Sequence, residues 1–259
     1  MHPLRAAIAQ RPIAAYLAIA FAFSWTFTPL VSVSIMFGLI ALFGPALAAV
    51  VVSWADGTLG EIRSRTTAWR QPASTYLAAF GIPFIVAGIG SLIMVVAGVI
   101  DWNGLGTISA IEVVIFILVI GEEIGWRGFL QPRLRARMGI VESGLAVGAV
   151  WVLWHLPIYL QATSPLADVA IFAWWVIPLA VVMGFVAERA RYSVIVATVM
   201  HGAANIATPI LLPDVDGQVV QLVTGSIYVA LAAFVAIRVP AGRPTTMSVA
   251  IRRRIGAAV

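Results

Sequence analysis

Long apolar runs, separated at regular intervals by short polar connections, fill the chain from residue 13 to residue 237. A helix rises about 1.5 Å per residue, so about 20 apolar residues are needed to cross a hydrocarbon layer ~30 Å thick. Eight stretches qualify: 13–31, 33–53, 75–100, 107–130, 140–160, 166–187, 193–212 and 218–237. Unpaired backbone amides are costly in lipid, and these runs are too long and too evenly apolar for the alternating strands of a membrane barrel. The pattern predicts an all-α polytopic transmembrane bundle, with residues 1–259 forming one integral-membrane domain. No soluble domain, internal repeat or low-complexity segment interrupts it; the polar stretches 54–74 and 238–259 read as a loop and a tail.

Composition agrees: 61% of residues are hydrophobic and 10% charged, with a mean hydropathy of +1.01, which leaves too little polar surface for a water-soluble globule. The chain has no cysteine, so a disulfide, a thiol nucleophile and a Cys-ligated metal are excluded. Arg5 and Arg11 resemble the charged start of a signal peptide, but seven more spans follow the first, which is therefore expected to be retained.

Charge placement adds topology. Lysine is absent, and the arginines other than Arg127 fall before the first span, in alternate connections (Arg63, Arg65 and Arg70; Arg133, Arg135 and Arg137; Arg189 and Arg191) and after the last span (Arg238, Arg243 and Arg252 to Arg254). The other connections carry Asp101, Asp168, Asp214 and Asp216. The positive-inside rule then predicts both termini in the cytoplasm of a bacterial-type cytoplasmic membrane. No single basic surface exists for nucleic acid, and the tail arginines suit anionic lipid heads.

Within the fourth span, Glu122, Glu123 and Arg127 interrupt an otherwise apolar helix. Ionisable groups in such places are expensive and usually functional. Glu123 and Arg127, at i and i+4, face the same way and can pair. Glu122 lies about 100° further round the helix and needs a partner from another helix. The candidates are His155 on the fifth span and His201 on the seventh, with Asn205 one turn after His201. Counted along their helices, Glu122 and His201 sit at similar depths in the cytoplasmic half and His155 lies ~10 Å deeper, a difference that boundary shifts and a start of the fifth span near Ser143 or Gly144 would largely absorb.

A glutamate, two histidines and an asparagine converging in a wet pocket suggest hydrolysis. Glu122, His155 and His201 could hold a catalytic zinc or another divalent metal, leaving one position for water. Equally, Glu122 could be the general base, with imidazole and amide groups stabilising an oxyanion. Spacing does not choose between these.

The residues resemble those of the CAAX prenyl protease type II family, also called CPBP or Abi intramembrane proteases. Its Glu-Glu-x-x-x-Arg motif is matched by Glu122, Glu123 and Arg127, followed by Gly128, Phe129 and Leu130. Its Phe-x-x-x-His motif is matched with a changed aromatic by Trp151 and His155, and its His-x-x-x-Asn motif by His201 and Asn205. The resemblance covers about 110–210 and places the catalytic core at about 107–212, on the fourth to seventh spans. It implies a metalloprotease-type or glutamate-based intramembrane protease. Glu122, His155, His201 and Asn205 would be catalytic, with Glu123, Arg127 and Trp151 as supports, and the substrate a membrane-associated or lipidated peptide or protein. Two other classes stay open: an ion-coupled transporter, for which no inverted repeat is found, and a non-catalytic membrane partner or immunity factor that keeps the pocket for packing.

Overall fold

The computed structural model describes residues 3–161 and 163–239. Among them helix is the regular structure present, with no strand. A short α1 (Pro3–Gln10) leads into α2 (Pro12–Ser32), α3 (Ile35–Ala55), a short α4 (Leu59–Thr66) and α5 (Ala73–Val96). An interrupted rod, α6, runs over 110–135, and α7 (Ile140–Tyr159), α8 (Pro165–Arg189), α9 (Val194–Leu211) and α10 (Gly217–Arg238) complete the bundle. Seven of these helices are long and apolar enough to span a membrane. The eighth expected span is α6, which Glu112, Glu122, Glu123, Arg127, Arg133 and Arg135 make too polar to qualify by composition. The protein is a polytopic membrane bundle in which the charged part of α6 around Glu122, Glu123 and Arg127 is buried among the other helices.

Glycines set the closest approaches. A Cβ at Gly144 would come within 2.7 Å of the Val181 Cα, and one at Gly148 within 2.8 Å of the Ile177 Cα, so α7 lies directly against the α8 backbone. Gly121 and Gly125 on α6 do the same for α3: a Cβ at Gly121 would sit 2.8 Å from the Leu42 carbonyl, and one at Gly125 would overlap Pro45 and the Tyr16 hydroxyl. This glycine face therefore presses α6 onto α2 and α3, away from the histidine-bearing helices. Gly125→Leu is expected to separate these backbones, lowering the melting temperature in detergent and shifting Glu122 enough to reduce activity. Wild-type stability of that variant would mean the contact is slack.

The two ends of the bundle differ in charge. At one end Arg133 pairs with Asp56 at 3.0 Å, Arg135 with Glu188 at 3.0 Å, and Ser193 Oγ donates to the Ala68 carbonyl at 2.7 Å, joining the arginine-bearing connections. At the other end the Gly106 amide donates to the Ile210 carbonyl at 2.8 Å, and Gln218 donates to Asp168, joining the acidic connections. The alternation read from the sequence is thus a spatial segregation. Arg243 and Arg252 to Arg254 lie outside the described residues.

Candidate active site

Helix α6 is built to break regular hydrogen bonding where the site lies. Residues Trp126–Leu130 form a π-helical turn between the α-helical Ile120–Gly125 and Gln131–Arg135, a local widening common at functional sites. Pro132 has no amide hydrogen to offer the Gly128 carbonyl one turn earlier. That carbonyl instead accepts from the Arg65 Nη1 at 2.7 Å, which pins the turn to α4.

Glu123 and Arg127 form the expected pair, Arg127 Nη1 donating to Glu123 Oε1 at 2.9 Å with both side chains fully buried. The same oxygen lies 2.8 Å from His201 Nδ1. Arg127 also places its guanidinium 4.9 Å from the centre of the Trp151 ring and its Nη2 3.3 Å from Met183 Sδ. A carboxylate already paired with arginine is an acceptor, so the Nδ1 of His201 carries the hydrogen, which leaves Nε2 uncommitted.

Glu122 has different partners from those the sequence suggests. Its Oε2 accepts from Trp151 Nε1 at 2.9 Å and from Trp126 Nε1 at 3.2 Å, and the residue is 2% exposed. The partner from another helix is therefore an indole, and the imidazole of His201 goes to Glu123. Trp126 stands at i+4 from Glu122, the spacing that joins Glu123 to Arg127, so its role was readable in the sequence.

Helix α7 begins at Ile140, so the later start that would have brought His155 level with Glu122 does not occur. Trp151 is level with Glu122, and His155 lies one turn further toward the acidic end. His155 Nδ1 is 3.0 Å from the Trp151 carbonyl, which can only accept, so here too Nε2 is the bare nitrogen of the neutral ring. The two histidines flank Trp151, with ring centres 4.8 Å (His201) and 6.1 Å (His155) from the indole. Asn205 is half-buried and lines a cavity of about 800 Å³ that also includes Thr107, Glu112, Asp214 and Gln221.

These residues divide by what their polar atoms still have to offer. Glu122 Oε1, Nε2 of His155, Nε2 of His201 and the Asn205 amide have no hydrogen-bond partner among the described residues, yet none is among the polar atoms sealed from water-sized space. Glu123 Oε2 and Arg127 Nε, by contrast, are sealed without a partner. In kind, one carboxylate and two imidazoles are zinc donors. Among the described residues, however, no three His, Asp or Glu side chains converge closely enough to hold one ion. The set Glu122, His155 and His201 is spread apart by Trp151, so as arranged these residues do not fit a bound metal.

Residues 104–207 match the family model for the type II CAAX prenyl endopeptidase, Rce1-like. This segment, less than half of the chain, is therefore similar to Rce1-like domains. CAAX prenyl protease 2 of Methanococcus maripaludis is 24% identical over 133 residues, which are 47% of this chain and 48% of that protein. The chain therefore spans about half the length of the curated relative it matches. The Rce1-like segment contains the whole cluster from Glu122 to Asn205, while Tyr16, whose hydroxyl meets Gly125, comes from outside it.

Within the Rce1-like segment, Trp151 stands where the family's second motif has phenylalanine, and its indole N–H is the shorter of the two donors to Glu122. Trp151→Phe keeps an aromatic ring but removes that donor. It is expected to slow cleavage about tenfold, the worth of one hydrogen bond to a charged group, with stability little changed. Unaltered turnover would mean that Trp126 alone suffices to hold Glu122.

Proposed function

We propose that the protein is an intramembrane endopeptidase that hydrolyses a peptide bond in a membrane-anchored polypeptide. The observation that carries this reading is the division of polar atoms. Within the cluster, the four residues whose unpartnered donors or acceptors are not sealed, Glu122, His155, His201 and Asn205, are the four that the family resemblance implies are catalytic. Glu123 and Arg127 pair with one another, His201 shares Glu123 Oε1, and their remaining unpartnered atoms are sealed.

In this scheme Glu122 Oε1 takes a proton from water as the oxygen attacks the scissile carbonyl carbon. The Asn205 amide donates to the oxyanion that forms, and His155 and His201 relay protons through Nε2 or, once protonated, donate to the same oxygen. Collapse of the intermediate breaks the C–N bond, and the proton held by Glu122 passes to the departing amine. Two neutral indoles hold the carboxylate in place without the neutralising cation that Glu123 has.

The name of the Methanococcus maripaludis relative points to a prenylated substrate, and a site inside a lipid-embedded bundle suits a lipid-anchored peptide. Cleavage of anchored peptide reporters by the protein in liposomes tests the reading. His155→Ala and His201→Ala should each abolish turnover while the protein still folds. Combining either with Glu122→Gln should add little, because members of one catalytic unit are non-additive. Chelators should leave the rate unchanged. Additive losses in the double variants would contradict a shared unit.

A further inference from the structure

Helix α2 lies wholly outside the Rce1-like segment, yet two of its aromatic side chains reach the tryptophans beside Glu122. Tyr16 is fully buried, and its hydroxyl is sealed without a hydrogen-bond partner among the described residues. A hydroxyl in that state costs stability rather than adding to it, so what the residue contributes is the placement of its ring. The ring stacks on Phe129, with centres 4.6 Å and planes 20° apart, and meets Trp126 edge-on at 6.0 Å and 83°. The hydroxyl rests on Gly125, where a Cβ would overlap it. Tyr16 thus grips α6 at Gly125, Trp126 and Phe129, across the start of the π turn.

The Trp126 ring also meets Trp154 of α7 edge-on, at 6.0 Å and 79°. Edge-on pairs with centres about 4.5–7 Å apart are a favoured aromatic geometry. The Trp154 carbonyl accepts from Trp25 Nε1 at 3.1 Å, and Trp25 is on α2. Both rings that confine Trp126 are therefore fixed by one helix, Tyr16 directly and Trp154 through Trp25.

The direction of the Trp126 indole matters because its Nε1 donates to Glu122 Oε2 at 3.2 Å, the long end of the ordinary range of about 2.7–3.2 Å. A small rotation loses the bond. The π turn that begins at this residue interrupts the regular helix, so the backbone repeat does not by itself aim the ring.

We propose that Tyr16 is a positioning residue for Glu122, acting through Trp126 to hold the indole N–H on the carboxylate, so that α2 is part of the active-site scaffold. Its effect on rate rests on the proteolytic reading; its hold on the indole does not.

Tyr16→Phe keeps the ring and should cleave at the wild-type rate. Tyr16→Leu removes the edge against Trp126 and should lower kcat about three- to tenfold with KM unchanged, as Trp126→Phe should. Combining Tyr16→Leu with Trp126→Phe should be no slower than Trp126→Phe alone, because the tyrosine acts through that indole. Multiplied losses in the double variant, or a Tyr16→Leu protein that loses melting temperature but not kcat, overturns the proposal.

A second readout needs no turnover. With all nine tryptophans labelled at the indole nitrogen, the Trp126 N–H resonance is the one missing from Trp126→Phe. In the parent protein it should move on Glu122→Gln, which changes its acceptor. On a Tyr16→Leu background it should no longer respond to Glu122→Gln, and on a Tyr16→Phe background it should respond as in the parent. Trp25→Phe, at a residue 38% exposed, opens no cavity at Tyr16 and should weaken the same response, which keeps the test decisive if Tyr16→Leu does not fold. A full response on the Tyr16→Leu background, or on Trp25→Phe where Tyr16→Leu does not fold, overturns the proposal. If no Glu122-dependent cleavage exists, the proteolytic reading falls while this resonance still decides the role of Tyr16.

Discussion

Arg127→Ala should be lost mainly as folded protein. Arg127 and Glu123 have no solvent exposure, and among the described residues the guanidinium is the arginine bonded to that carboxylate, with His201 Nδ1 sharing the same oxygen. Without the arginine, an ionised carboxylate would remain buried with one imidazole for company. Breaking a buried pair from one side costs about 3–5 kcal/mol, and total stabilities are only about 5–15 kcal/mol. Expression and melting temperature in detergent should therefore fall sharply. Replacing both members, Arg127→Met with Glu123→Gln, should restore much of the stability, because no unpaired charge is left and glutamine still accepts from His201. Normal folding of Arg127→Ala with total loss of cleavage would instead place the guanidinium in the chemistry.

The spans were legible because each apolar run is continuous and the polar connections are short. α7, read as 140–160, is Ile140–Tyr159 in the structure, and α8, read as 166–187, is Pro165–Arg189. Two further features followed from charge and spacing alone: the segregation of arginines to one end, and the Glu123–Arg127 pair, whose partners share a helix face. What was not legible is how helices are rotated against one another. Adjacent glutamates point about 100° apart, and which one meets His201 depends on the seating of Gly121 and Gly125 against Leu42, Phe43 and Pro45. The π turn at Trp126–Leu130 adds a local change of phase that a 3.6-residue repeat does not anticipate. Tyr16, fully buried against Gly125, gave no signal in the sequence, since a tyrosine in a first span is ordinary.

The most direct consequence concerns Glu122, whose chemistry and architecture are separable by one atom. Glu122→Gln can keep an oxygen where Oε2 accepts from the Trp151 and Trp126 indoles, so packing and hydrogen bonding are retained. It removes the carboxylate that would take a proton from water, a loss typically worth ~10²–10⁴-fold in rate. The measurement is the single-turnover rate on an anchored peptide reporter in liposomes, taken beside the melting temperature of the same preparation. The account predicts a rate at least a hundredfold lower for Glu122→Gln at an unchanged melting temperature. Full-rate cleavage by a folded Glu122→Gln protein would contradict it.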